Sequence, residues 1–283
     1  MNERKPARNR AASIRQRLLD RARVQKEDFQ FLLDRYAVER MLYRLSILED
    51  REQFLLKGAL LFTFWFDEPH RPTRDADFLS FGAPDAERLV ETVRRLCVME
   101  CDDGITYDAG SLRVQEIREN ARYQGLRVTL SGDLDNARCN VQLDVGYGDV
   151  VTPAPVELTY PTLLDEFPAA RLRAYPRETV FAEKLEAIAQ FGIANSRMKD
   201  YFDLLALARE GAMDLPDLSR AIAATFSRRQ TPLPNPLPIG LTQAFARDLQ
   251  KQKQWNAFVA RNRLDAPALD AVIDELAKFV SAV

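Results

Sequence analysis

Apolar residues recur at helical spacing near the start of the chain. Phe29, Leu32, Leu33, Tyr36, Val38, Met41, Leu42 and Leu45 mark the inward face of a helix over residues 27–47, preceded by another over 11–24. The pattern then shortens. Residues 53–57 read as a brief buried strand, Gly58 opens a helix through Phe66, and a loop over 67–72 leads to a strand at 75–80. After a helix at 85–101 the period becomes two. Residues 111–117, 124–131 and 139–146 alternate, are rich in β-branched side chains, and are separated by Gly-rich or Asp-rich turns. Past a connecting segment at 157–177 the helical period returns at 178–191, 199–209, 215–226, 242–260 and 266–283. Four prolines in residues 231–238 interrupt that run; they fix φ and remove donors, so the stretch is an extended connector. The pattern predicts an α+β or α/β protein in three regions. These are N-terminal helices with a basic arm (1–50), a mixed sheet core flanked by helices (51–155), and a helical region (156–283).

Composition narrows the chemistry. A chain of 283 residues that is 46% hydrophobic can bury a sizeable core in one or two domains. The net charge of −2 gives no global attraction to nucleic acid, so such binding needs a local patch. Residues 1–26 supply one. Arg4, Lys5, Arg8, Arg10, Arg15, Arg17, Arg21, Arg23 and Lys26 stand against Glu3 and Asp20, a local +7. This is either a solvated helix face or a basic helical arm touching a phosphate backbone. The three cysteines, Cys97, Cys101 and Cys139, fit reduced thiols better than a disulfide framework or a zinc site. His70 is the sole histidine, which removes Ser-His-Asp and Cys-His catalysis and any multi-His metal site. The N-terminus has no apolar signal core and no run of about 18 apolar residues occurs, so the expectation is a soluble cytoplasmic protein.

The densest candidate chemistry lies in Arg71-Pro-Thr-Arg-Asp-Ala-Asp-Phe-Leu79. In a strand, Asp75 and Asp77 point to the same face, where like charges repel unless compensated. Mg²⁺ supplies that compensation, taking carboxylate oxygens and completing its shell with water and substrate phosphates. Alone, such a pair is more often a solvated strand edge or turn, and the neighbouring segments are what favour the metal. Asp144, flanked by apolar residues in an apparent strand, is a third carboxylate that converges on the pair if its strand lies alongside. Three such groups could hold two Mg²⁺ ions that clamp an in-line displacement. Lys57-Gly58-Ala59 resembles a small phosphate cradle but lacks the full Walker pattern. In the helical half, Lys184 stands amid an apolar helix. Asp200 and Asp203, about 5–6 Å apart at i, i+3, can share a proton, a cation or a lysine, or merely form a salt-bridged helix start.

Together these segments resemble the AbiEii/AbiGii (MenT-type) nucleotidyltransferase toxins, relatives of the DNA polymerase β superfamily. The resemblance rests on Lys57-Gly-Ala-Leu-Leu61, Arg71–Leu79, Leu143-Asp-Val-Gly-Tyr-Gly-Asp149, Glu178-Thr-Val-Phe-Ala-Glu-Lys-Leu-Glu-Ala187 and Arg197-Met-Lys-Asp-Tyr-Phe-Asp-Leu204. It implies a polymerase-β-like mixed sheet and Mg²⁺-dependent transfer of a nucleoside monophosphate from an NTP to an acceptor. In related toxins the acceptor is tRNA, whose inactivation blocks translation, and a separate antitoxin protein restrains the enzyme. Asp75 and Asp77 match the metal-binding pair, and Thr73 a hydroxyl position. Lys184 matches an essential lysine, and Asp203 the last carboxylate of a Lys-Asp-X-X-Asp motif. Asp144 takes the place of the third strand carboxylate. Ala59 departs from the usual Gly or Ser, which leaves phosphate binding to the backbone and Lys57.

The implied arrangement sets the triphosphate over residues 58–60 and Mg²⁺ on Asp75 and Asp77. Lys184 neutralises phosphate charge. Asp203 orients that lysine or takes the proton of the RNA 3′-hydroxyl, a role Asp144 could share. The basic arm, with Arg228 and Arg229, would contact tRNA phosphates. Two alternatives stay open: a protein or self phosphotransferase acting at Thr73 through the same site, and a non-catalytic RNA-binding module.

Overall fold

A computed structural model describes residues 7–66, 70–120 and 123–283. The chain divides into two compact units, the first comprising Met1–Gly148 and Glu157–Ala174, the second Asp149–Val156 and Tyr175–Val283.

The first unit opens with helices α1 (Ala7–Gln25) and α2 (Phe29–Ser46). Between them Lys26 adopts φ +56°, which breaks the helical run, and the Asp28 carboxylate accepts the Phe31 N–H at 2.8 Å to cap α2. Strand β1 (Phe54–Lys57), the short helix α3 (Leu60–Trp65), β2 (Asp75–Ser80) and α4 (Ala86–Val98) follow. A meander of β3 (Thr106–Asn120), β4 (Tyr123–Leu134) and β5 (Ala137–Tyr147) comes next, then β6 (Val156–Tyr160) and β7 (Ala170–Ala174). They form one seven-stranded mixed sheet in the order β3-β4-β5-β2-β1-β7-β6. β2 runs parallel to β5 and antiparallel to β1, while β1 runs parallel to β7.

The predicted mixed sheet is therefore present, with two strands beyond those expected. Residues 157–177, read as a connector, contain β6 and β7. Each is only five residues long: β6 turns Leu158 and Tyr160 inward beside exposed Glu157 and Thr159, and β7 turns Ala170, Leu172 and Ala174 inward against exposed or half-buried arginines. The five strands predicted from the sequence hold, and β3 to β5 extend further than the β-branched runs alone suggested.

One face of the sheet is apolar. Leu126, Val128, Leu143, Val145, Ala76 and Phe78 are buried there, and α2 packs against β5 and β7. This helix also buries charge. Arg44 grips Asp103 with both terminal guanidinium nitrogens, one at 3.1 Å, and lies 4.9 Å from the centroid of Tyr107. Both partners are almost wholly buried. Replacing Arg44 by Met strands the Asp103 carboxylate, so equilibrium urea unfolding is expected to show a loss of about 3–5 kcal/mol. An unchanged midpoint would mean that the pair is dispensable.

The second unit is helical: α5 (Arg177–Phe191), α6 (Met198–Glu210), α7 (Leu215–Arg229), α8 (Gln243–Ala246), α9 (Leu249–Asn262) and α10 (Leu269–Ser281). α5 packs on α6 and α7, and α10 packs on α6. The helix expected over 242–260 is two helices. Asp248 splits it by accepting the N–H groups of Gln250 and Lys251 at 2.8 and 3.0 Å, which starts a new helix there. Among the described residues, no helix is long and apolar enough to cross a membrane. The three cysteines are free thiols.

Candidate active site

The polar face of the first unit's sheet carries a rung of four charged residues on four neighbouring strands. Lys57 of β1 pairs with Asp77 of β2, Asp77 with Asp144 of β5, and Asp144 with Arg127 of β4. Directly paired residues point to the same face, so the rung reads plus, minus, minus, plus. The next rung of that face holds Asp75, Gln142 and Thr129. The parallel register of β2 and β5 thus puts Asp77 beside Asp144, with Asp75 one rung away on the same face.

Asp144 has a strong partner that sequence reading missed. Arg127 donates from Nε and Nη2 to its two carboxylate oxygens at 2.8 and 2.7 Å, a bidentate charge-assisted pair. The Gln142 amide approaches the same oxygens at 3.3 and 3.4 Å. The hydrogen bond to Asp144 pushes the Arg127 pKa up, with added charge from Asp144, Asp75 and Asp77. All three carboxylates thus act on one guanidinium.

Lys57 and Gly58 sit beside the acids. A Cβ placed on Gly146 would lie 3.7 Å from Lys57 Nζ. Gly58 adopts φ +74°, and a Cβ there would lie 2.0 Å from Asp77 Oδ2. The carboxylate therefore rests directly over the glycine. Gly58 and Ala59 form a turn, and α3 begins only at Leu60. Gly58→Ala is expected to displace the Asp77 carboxylate and to lower nucleotidyl transfer at least about 100-fold, comparable to losing one preorganised electrostatic group. The strained φ adds about 1–2 kcal/mol of instability. Wild-type activity in that variant would show that the carboxylate position is immaterial. Thr73 is half-buried two residues before Asp75. The His70 ring stacks on Phe62 at 4.4 Å between centroids.

For a divalent cation, Asp75 and Asp77 fit as a two-carboxylate site that leaves the remaining positions to phosphate and water. Asp144 fits less directly, because both its oxygens are engaged by Arg127. Among the described residues, no three acidic, thiol or imidazole groups form a ready metal shell.

In the second unit, α5 presents Lys184 to α6. Its ammonium lies 2.8 Å from Asp200 Oδ1 and 2.7 Å from Asp203 Oδ2, and Arg197 Nε lies 3.0 Å from Asp200 Oδ2. Asp203 is fully buried. Of the alternatives for this acidic pair, sharing a lysine is the one realised.

The basic residues behave differently from expectation. Arg229, expected to face phosphate, is buried and reaches Glu186 at 2.9 Å and Asp149 and Glu183 at 3.2 Å each. Burial alone would lower its pKa, but Glu183, Asp149 and Glu186 together drive it up. Arg228, one residue earlier, is exposed. The arm expected at 1–26 is largely α1, which buries Ile14, Leu18 and Ala22 and pairs Arg10 with Asp102, Arg17 with Glu166 and Arg23 with Asp20. Residues 1–6, including Arg4 and Lys5, lie outside the described residues.

A family model described as "Nucleotidyl transferase AbiEii toxin, Type IV TA system" matches residues 40–275. Among solved structures, the crystal structure of JHP933 from Helicobacter pylori is similar at TM-score 0.52 and 16% identity, over 90% of this chain and 92% of that one. A proposed nucleotidyltransferase from H. pylori is similar at TM-score 0.48 and 16% identity, over 90% and 95%. No curated protein matches this chain.

Proposed function

This chain belongs to the AbiEii family of nucleotidyl transferase toxins of type IV toxin–antitoxin systems, and on that premise we propose that it transfers a nucleoside monophosphate from an NTP to RNA, at the 3′ end of tRNA, and so blocks translation. Family membership carries an NTP substrate and an antitoxin partner; Mg²⁺, the tRNA acceptor and a cytoplasmic site of action belong to the proposal. The observation that supports it best is the rung Lys57–Asp77–Asp144–Arg127 with Asp75 beside it.

In the proposed reaction a 3′ oxygen bonds to the α-phosphorus, the bond from that phosphorus to the bridging oxygen breaks, and pyrophosphate leaves. Lys57 and the Gly58 backbone receive the triphosphate, with Ala59 adding no side-chain donor. Mg²⁺ held by Asp75 and Asp77 would offset the charge on the phosphate oxygens. Lys184 adds positive charge toward the triphosphate, a role that rests on the family resemblance, and Thr73 lines the nucleotide site. Asp203, buried on the Lys184 ammonium, acts by orienting it. The hydroxyl proton passes to a carboxylate, for which Asp144 is the better placed because Asp203 has no exposed surface.

The test is to incubate purified protein with total tRNA and NTPs labelled at the α- or γ-phosphate. Label from the α-position on RNA is the expected result. γ-Label on the protein, above all at Thr73, would establish the phosphotransferase instead, and no label on either would leave a binding module.

A further inference from the structure

A pocket of about 340 Å³ opens on the polar sheet face next to Asp75. Thr129 of β4 and Asn140 and Gln142 of β5 line it, with Arg74 and Arg138 exposed beside them. No residue of β1 contributes. We propose that this pocket receives the 3′-terminal nucleoside of the RNA acceptor, an inference that rests on the nucleotidyl-transfer reading above.

Three observations lead there. The first is position. Strand order puts β1, with Lys57 and Gly58, on one side of β2, and β5 and β4 on the other. Neighbouring strands are about 4.8 Å apart, so Thr129 stands roughly 10 Å from β2. In an in-line displacement the leaving pyrophosphate and the attacking oxygen lie on opposite sides of the reacting phosphorus. With the triphosphate on the β1 side, the attacking strand comes from the β5–β4 side, where the pocket lies.

The second is size. Small-molecule sites span roughly 300–1,000 Å³. This pocket is at the low end, suited to one nucleoside rather than to a run of them.

The third is chemistry. The Asn140 amide both donates and accepts, as reading a base edge requires, the Gln142 amide oxygen adds an acceptor while its nitrogen faces Asp144, and the Thr129 hydroxyl suits a ribose 2′-hydroxyl. The Arg74 guanidinium lies 5.6 Å from the Phe31 ring centroid. Such a braced guanidinium offers a plane on which an unstacked base can lie. Arg138 is placed to meet the preceding phosphate.

The double variant Asn140→Ala/Arg138→Gln tests this. In the fold, Asn140 and Arg138 are held through backbone atoms, the Asn140 N–H to Asp34 and the Arg138 carbonyl to Gln30, and their side chains are exposed. The variant is therefore expected to keep the wild-type melting temperature. Binding of fluorescently labelled deacylated tRNA is expected to weaken about tenfold, as for one lost base contact, and its salt dependence to drop by about one unit of slope for the lost phosphate contact. KM for tRNA rises while kcat and KM for NTP hold. Arg74→Gln alone moves tRNA binding in the same direction.

Unchanged tRNA binding and KM overturn the proposal. A rise in KM for NTP alone overturns it too, since the pocket would then hold the incoming base. If the wild-type protein run alongside labels no RNA, the transfer reading itself fails and takes this inference with it.

Discussion

Asp77→Asn is expected to reduce nucleotidyl transfer by about 10²–10³-fold or more, the cost of one preorganised electrostatic group, while leaving the fold about as stable as before. The two halves of that expectation come from the same rung. Asp77 stands directly across from Asp144 on a parallel strand and from Lys57 on an antiparallel one. Neutralising Asp77 relieves repulsion with Asp144 on one side and gives up attraction to Lys57 on the other, two effects of similar size and opposite sign. An amide keeps the shape of the side chain that lies over Gly58. What the amide lacks is the charge that would hold a divalent ion. Activity lost with stability retained is the signature of a functional acid. If instead the variant transfers label at the wild-type rate, Asp77 has no part in the chemistry and the assignment of this face as the active site collapses. Titrating Mg²⁺ against the wild type and the variant by calorimetry gives a readout independent of turnover, with weaker binding expected for the variant.

The parts of this site legible in the sequence are those whose geometry is local. Asp75 and Asp77 declare a shared face because a strand alternates with period two. Asp200 and Asp203 declare one because a helix returns after three or four residues. Arg127 could not be found that way. Its tie to Asp144 spans seventeen residues and depends on the register of β4 against β5, which no local pattern reveals. The same limit explains Arg228 and Arg229, which look alike in sequence. Adjacent helix positions point about 100° apart, so one is exposed while the other is buried among Asp149, Glu183 and Glu186. The basic charge of residues 7–26 was legible as a sum. Its use was not, because the partners of Arg10 and Arg17 come from residues 102 and 166. In the fold, the long periodic elements were readable. The five-residue strands β6 and β7 were not, since each turns only two or three side chains inward, Leu158 and Tyr160 in one and Ala170, Leu172 and Ala174 in the other, too short an alternation to stand out from the neighbouring turns.

The second large effect concerns Lys184, and here activity and stability should fall together. Lys184→Met removes the cation that holds Asp203, a carboxylate with no exposed surface, and Asp200, which is nearly as buried. Arg197 still lies 3.0 Å from Asp200, so the loss of the ammonium falls mainly on Asp203. Stranding a buried carboxylate costs about 3–5 kcal/mol, readable as a lower urea midpoint. Loss of activity in this variant alone would therefore not separate a functional lysine from a structural one. Lys184→Met/Asp203→Asn separates them. Neutralising Asp203 removes the charge that needed a partner, so the double variant should regain most of the lost stability, a coupling of the kind contacting residues show. If the lysine serves only the fold, activity returns along with stability. The expected result is recovered stability with transfer still absent, because the positive charge proposed to meet the triphosphate is missing from both variants. A double variant that is stable and active would place the essential charge elsewhere in the chain.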